Sequence, residues 1–121
     1  MITKISVIVV EVSGEFDPFG RPNCRILVDN NGDLPSKPIS TKSEMDTLQE
    51  LLYEVCTLDI RYSPFDLVDF YHLAGSSECN VVYSTRVPSD SICVKSGYFE
   101  YVEALTTRKE YDRAIQRVAR F

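Results

Sequence analysis

The stretch Ile5–Val12, ISVIVVEV, constrains this chain more than any other. Val and Ile fill all but two of its positions, and β-branched side chains favour an extended backbone. A strand with one wet face alternates apolar and polar residues, whereas a nearly continuous apolar run needs cover on both faces. The strand is therefore expected to be central in its sheet or covered on both faces.

The chain supplies those elements in order. Gly14–Asn23 holds two Gly and two Pro, which predicts a turn and leaves Cys24–Val28 as the returning strand of a hairpin. Asp29–Asp33 is a tight-turn signal. Leu34–Ser40 contains Pro35 and Pro38, each lacking a ladder donor, so it is a loop or a short edge piece. Leu58–Tyr62 and Phe65–Ala74 are strand-like and are separated by Ser63–Pro64. Gly75–Glu78 turns the chain, and Asn80–Val87 runs back with Val81, Tyr83, Thr85 and Val87 on one face. Pro88–Gly97 is a loop with an apolar insert at Ile92–Val94, and Tyr98–Val102 is a last short strand ending near Glu103–Leu105. Thr107 with Glu110 forms a capping box, and Tyr111, Ala114, Ile115 and Val118 stripe a closing helix. The order describes an α+β domain with helices packed on a mixed sheet.

Between the two halves of this sheet lies the best-marked helix. Ser43 can cap it through its hydroxyl, and Asp46 can return a carboxylate contact to the first turn. Met45, Leu48, Leu52 and Val55 form the predicted buried stripe, widened by Leu51. Asp46, Glu50 and Glu54 recur every fourth residue on the other side, which costs roughly 0.2–0.5 kcal/mol per like-charged pair. No Lys or Arg relieves them at helical spacing. Two readings stay open: a solvated charged face, or a site for a divalent cation.

Composition narrows the partners. The chain has 121 residues, 44% hydrophobic and 26% charged, which suits one domain over 1–121 with a single core. A net charge of −5 excludes non-specific nucleic-acid binding and attraction to an anionic membrane, since both need surplus Lys and Arg. Cys24, Cys56, Cys79 and Cys93 form no C-x-x-C pair, so buried free thiols are expected rather than a zinc or redox motif. The opening MITKISVIVVEV is too short to span a bilayer and lacks a cleavage signature. A reducing, cytoplasmic setting is the expectation.

Other candidates are weaker. His72 is the only histidine and sits between Tyr71 and Leu73 in an apolar strand, where a satisfied core residue is expected over a catalytic base. No Cys or Ser has an elbow or triad context. Glu78, Asp90, Glu100 and Glu103 read as surface acids unless the fold brings one over the helix. Arg113 and Arg117, with Arg108, Lys109 and Arg120 nearby, give the last helix a basic face. That face either complements the helix dipole or docks an acidic partner or phosphate. Phe16, Phe19 and Arg21 in the first hairpin loop either pack in the core or stack on a base and hold a phosphate.

The order of elements, with acids on the central helix, resembles the Nudix superfamily. That family's box reads G-x5-E-x7-R-E-U-x-E-E-x-G-U, U being a bulky aliphatic residue, and Gln49–Glu54 falls on R-E-U-x-E-E. Glu50, Leu51 and Glu54 match. Leu34–Pro35 is similar to the residues ahead of the box glycine, Leu58–Ile60 to the strand after it, and Tyr98–Leu105 to the late strand and turn. The resemblance implies an α/β/α sandwich, a mixed curved sheet carrying the box helix and a C-terminal helix. It also implies Glu50 and Glu54 as catalytic metal ligands, joined by Asp46, with Mg²⁺ or Mn²⁺ as cofactor. Phe16, Phe19, Arg21 and Tyr53 become the ligand-binding candidates.

The departures bear on activity. Tyr53 stands where the family has a middle Glu and Gln49 where it has Arg. The opening glycine falls near Pro35 or Ser36, the upstream Glu on Thr41, and the closing glycine is replaced within Val55–Thr57. Glu44 and Asp46 are the acids that would stand in if the loop is shortened. Pyrophosphate hydrolysis by Mg²⁺ needs hard oxygen ligands in near-octahedral geometry, and a tyrosine with a pKa of about 10 is a poor one. The preferred expectation is a degenerate Nudix-like accessory domain that binds a nucleotide diphosphate-type ligand or a protein partner without efficient turnover. An atypical Mg²⁺-dependent hydrolase of nucleoside diphosphate-linked compounds is the alternative. A third reading is an interaction protein using its sheet edge or basic helix, with a homodimer left open.

Overall fold

The computed structural model describes residues 3–16, 18–20, 22–40, 43–57, 66–72, 77–88, 92–101 and 112–119. Its elements are β1 (Lys4–Phe16), β2 (Pro22–Val28), β3 (Ser36–Pro38), α1 (Glu44–Val55), β4 (Asp66–His72), β5 (Cys79–Pro88), β6 (Tyr98–Tyr101) and α2 (Asp112–Ala119). The strand order is β4-β5-β1-β2-β6, with β3 attached to β1. β1 runs parallel to β5 over Lys4–Val12 and antiparallel to β2 and β3, so the sheet is mixed.

The apolar run of β1 does what its composition demands. Ile5, Val7 and Val9 join Leu48, Leu51, Leu52 and Val55 in one cluster, while Ile8 and Val10 join Ala114, Ile115 and Val118 in another. Successive side chains of a strand point to opposite faces, so one strand serves both cores. α1 and α2 thus cover opposite faces of the sheet, the expected α/β/α arrangement. Ser6 interrupts the run without exposing it: the hydroxyl lies 2.7 Å from that of Ser36 and donates to Asn80 Oδ1 at 3.1 Å. Glu11 is only 6% exposed and accepts from Arg25 Nε at 2.9 Å and Nη2 at 2.5 Å. The Arg25 guanidinium lies 5.5 Å from the centre of the Phe99 ring. A buried carboxylate is tolerable only when paired in this way.

Several boundaries differ from expectation. β1 continues to Phe16 and β2 begins at Pro22, so strand occupies part of the predicted Gly14–Asn23 turn. Their register shifts between Val12 and Phe16, an irregularity that lets Gly14 lie within a strand. Met45 is 43% exposed rather than part of the stripe. At 3.6 residues per turn it lies roughly 90° from the centre of the arc that buries Thr47, Leu48, Leu51, Leu52 and Val55. Cys93 is exposed, whereas Cys24, Cys56 and Cys79 are buried free thiols. The predicted strand Leu58–Tyr62, the capping box at Thr107 and Glu110, and Tyr111 lie outside the described residues.

Three further expectations are met among the described residues. Asp29–Asp33 is a turn in which Asp29 Oδ1 accepts from the Asn31 and Asp33 amides at 2.9 and 3.0 Å. Pro35 and Pro38 flank or end a three-residue edge piece. β4 and β5 form the second antiparallel hairpin. Gly97, at φ +96°, leads into β6 with the Val28 carbonyl where a side chain would begin, so only glycine fits.

Candidate functional site

α1 starts where its capping residues put it. Ser43 is extended and its Oγ accepts from the Asp46 amide at 3.1 Å, while Thr47 Oγ1 donates to the Ser43 carbonyl at 2.9 Å. Glu44 falls on the sheet-facing arc of the first turn, where the Tyr83 hydroxyl of β5 donates to its carboxylate. Burial, then this hydrogen bond, pushes the Tyr83 pKa well above its ordinary 10.0.

The helix ends without the glycine that the family box would supply. Cys56 is extended rather than left-handed, and its amide donates to the Leu52 carbonyl at 2.8 Å. The Val55 carbonyl accepts from the Lys95 and Ser96 amides at 2.8 and 3.2 Å, and Lys95 Nζ reaches the Tyr53 carbonyl at 3.0 Å. Cys56 also bridges to Val94. The segment Ile92–Gly97 therefore satisfies the terminal carbonyls that a glycine turn would otherwise satisfy within the helix.

The outer face of α1 carries the predicted site. Asp46, Gln49, Glu50, Tyr53 and Glu54 line an open groove of about 540 Å³. Tyr53 is 69% exposed, with Lys95 Nζ 3.9 Å above its ring centre. The fold brings Asp46, Glu50, Glu54 and Tyr53 together on one surface. Phe19 is 81% exposed in the first hairpin loop. Phe16 belongs to β1 but its side chain lies outside the described set, as do Arg21 and the His72 side chain.

The residue that spacing alone missed is Lys37. It pairs with Ile5 in the β3–β1 ladder, and partners directly across a ladder share a face, so it rises on the α1 side. Its ammonium lies 2.8 Å from Glu50 Oε1 and also bonds Glu54 Oε1. The hydrogen bonds that it donates to Glu50 and then to Glu54 raise the Lys37 pKa. The acid row is therefore relieved by a strand, not by the helix itself. The only sequence signal was a lysine between two prolines in an edge piece just ahead of the helix.

The donor set can now be compared with what a divalent ion requires. Glu50 and Glu54 are hard oxygen donors of the right kind. Among the described residues, however, no three His, Cys, Asp or Glu side chains gather as a metal-ligand group. A positive ammonium already joins the two carboxylates. With Lys37 in place, this arrangement does not fit Mg²⁺ or Mn²⁺.

No family model matches the sequence, and no curated protein matches it. The fold has solved counterparts. A mutT/nudix family protein from Listeria innocua superimposes with TM-score 0.66 at 11% identity, covering 95% of this chain and 89% of that one. A C. elegans Ap4A hydrolase in a binary complex gives 0.64 at 8% identity, covering 98% and 95%. The NUDIX domain of Shewanella oneidensis NrtR, complexed with ADP ribose, gives 0.63 at 10% identity, covering 98% and 88%. Strand order, the position of α1 and these superpositions agree that the chain has a Nudix-like fold.

Proposed function

We propose that this Nudix-like domain binds a nucleotide-type ligand along the outer groove of α1 without hydrolysing it. One observation carries the reading: the Lys37 ammonium bridges Glu50 and Glu54, the two acids that match the box, while Tyr53 stands between them in sequence. Hydrolysis of a pyrophosphate needs charge neutralisation and an activated water, and this donor set supplies neither through its carboxylates. Binding needs less. Tyr53 offers an exposed aromatic surface, and ring stacking on a base is worth about 1–3 kcal/mol. Lys37 and Lys95 offset two of the three carboxylate charges in and around the groove, which lowers its repulsion of a phosphate.

The ligands of fold relatives support the choice of class, since one was solved with ADP ribose and another is an Ap4A hydrolase. Phe16, Phe19 and Arg21 are the further ligand contacts in this reading. The free thiols support a reducing, cytoplasmic setting; no described helix is long and apolar enough to cross a membrane.

The test is incubation with ADP-ribose and Ap4A, each with Mg²⁺ and with Mn²⁺, alongside thermal melts. No product should form, and a ligand at a hundred times its dissociation constant should stabilise the fold by about 2.7 kcal/mol. Product release that Glu54→Gln abolishes would establish the alternative, an atypical hydrolase. Silence in both assays would remove the nucleotide and leave a protein partner as the occupant.

A further inference from the structure

The geometry of β3 and α1 points to a replacement of chemistry as well as a loss. We propose that Lys37 is a built-in counter-ion that takes the place of a divalent cation between Glu50 and Glu54, making the domain blind to Mg²⁺ and Mn²⁺. This deepens the reading above, on which it rests for taking the outer face of α1 as the ligand side.

Four features converge on the assignment. β3 has three residues, and register sends only Lys37 to the α1 face, because Ser36 and Pro38 pair with Ser6 and Lys4. Glu50 and Glu54 are one helical turn apart, which brings both carboxylates within reach of one ammonium. Each gives it one oxygen, so two of its three N–H donors are engaged by the acids that the family box retains. The helix position between them that would complete a carboxylate set carries Tyr53, held under Lys95.

The consequence is a competition that the metal loses. Mg²⁺ sheds its waters reluctantly and needs several hard ligands to do so. Here it would have to displace a covalently tethered cation from both carboxylates and then remain beside that cation. A tethered partner also has an effective concentration in the millimolar range or above, so a weak two-carboxylate site is outcompeted at ordinary metal concentrations.

The experiment uses the metal alone, so its outcome does not depend on nucleotide binding. Mn²⁺ is titrated into the intact protein, followed by calorimetry and by electron paramagnetic resonance of free Mn²⁺. The wild type should take up none at Glu50 and Glu54. Lys37→Met removes that cation from the acid pair, and its Mn²⁺ affinity should rise at least tenfold, with a melting temperature that Mn²⁺ increases. Lys37→Arg keeps a cation and should remain silent, and Lys37→Met with Glu54→Gln should lose the gain. Should Lys37→Met fold poorly, Lys37→Gln serves the same purpose. Wild-type uptake matching that of Lys37→Met overturns the proposal, as does a folded Lys37→Met or Lys37→Gln that takes up no Mn²⁺. Failure of ADP-ribose or Ap4A to bind, with the metal results as expected, overturns only the nucleotide reading.

Discussion

Thr85 shows how one atom can be out of keeping with its surroundings. Its residue is 3% exposed, it pairs across the ladder with Val9, and its hydroxyl has no hydrogen-bond partner among the described residues. A buried hydroxyl left unpaired costs about 1–3 kcal/mol by mutational estimates. Thr85→Val keeps the shape and removes the polar atom, so it should raise stability by about 1 kcal/mol in urea unfolding. A midpoint that stays or falls would mean that the hydroxyl is satisfied. Lys37 is the converse, a charge whose two partners lie on a different element. Sequence periodicity joins residues on the same helix, and Lys37 belongs to a strand. Only the β3–β1 register brings it to Glu50 and Glu54.

At the level of elements, α1 was the most legible because its signals are local. Ser43 caps it, and Leu48, Leu51, Leu52 and Val55 are its buried side. Met45 misled because spacing from Leu48 alone does not fix where the centre of a buried arc lies. Glu44 occupies that centre instead, and its contact with Tyr83 ties the first turn to β5. This anchor has a pH signature. The Tyr83 pKa is raised in the folded state, so its contribution is complete below about pH 10 and is lost as pH rises through the folded value. Melting temperatures measured from pH 8 to pH 11 should fall more steeply at the alkaline end for wild type than for Tyr83→Phe. Parallel curves would remove the anchor. The end of α1 was not legible, because Val94, Lys95 and Ser96 close it from a segment far along the chain.

For the molecule as a whole, the apolar run of β1 pointed to a strand that is central or covered on both faces, and both conditions hold. What it did not announce was direction, since composition cannot tell a parallel neighbour from an antiparallel one. The sheet places β1 between β5 and β2, with Ile5 and Val7–Val10 fully buried. Amides of β1 and β5 should therefore be the slowest to exchange with solvent, opening only with global unfolding. Equal or faster exchange there than in β6, at the sheet edge, would contradict this placement. The parallel pairing of β1 with β5 has a consequence for synthesis. Thr3 and Cys79 are joined although 76 positions apart, so β1 waits for a strand made much later. Non-local closure of this kind slows folding. During that interval the apolar run of β1 has only β2 and the three-residue β3 beside it, so chaperone dependence in this protein should be set by when residues 79–88 leave the ribosome.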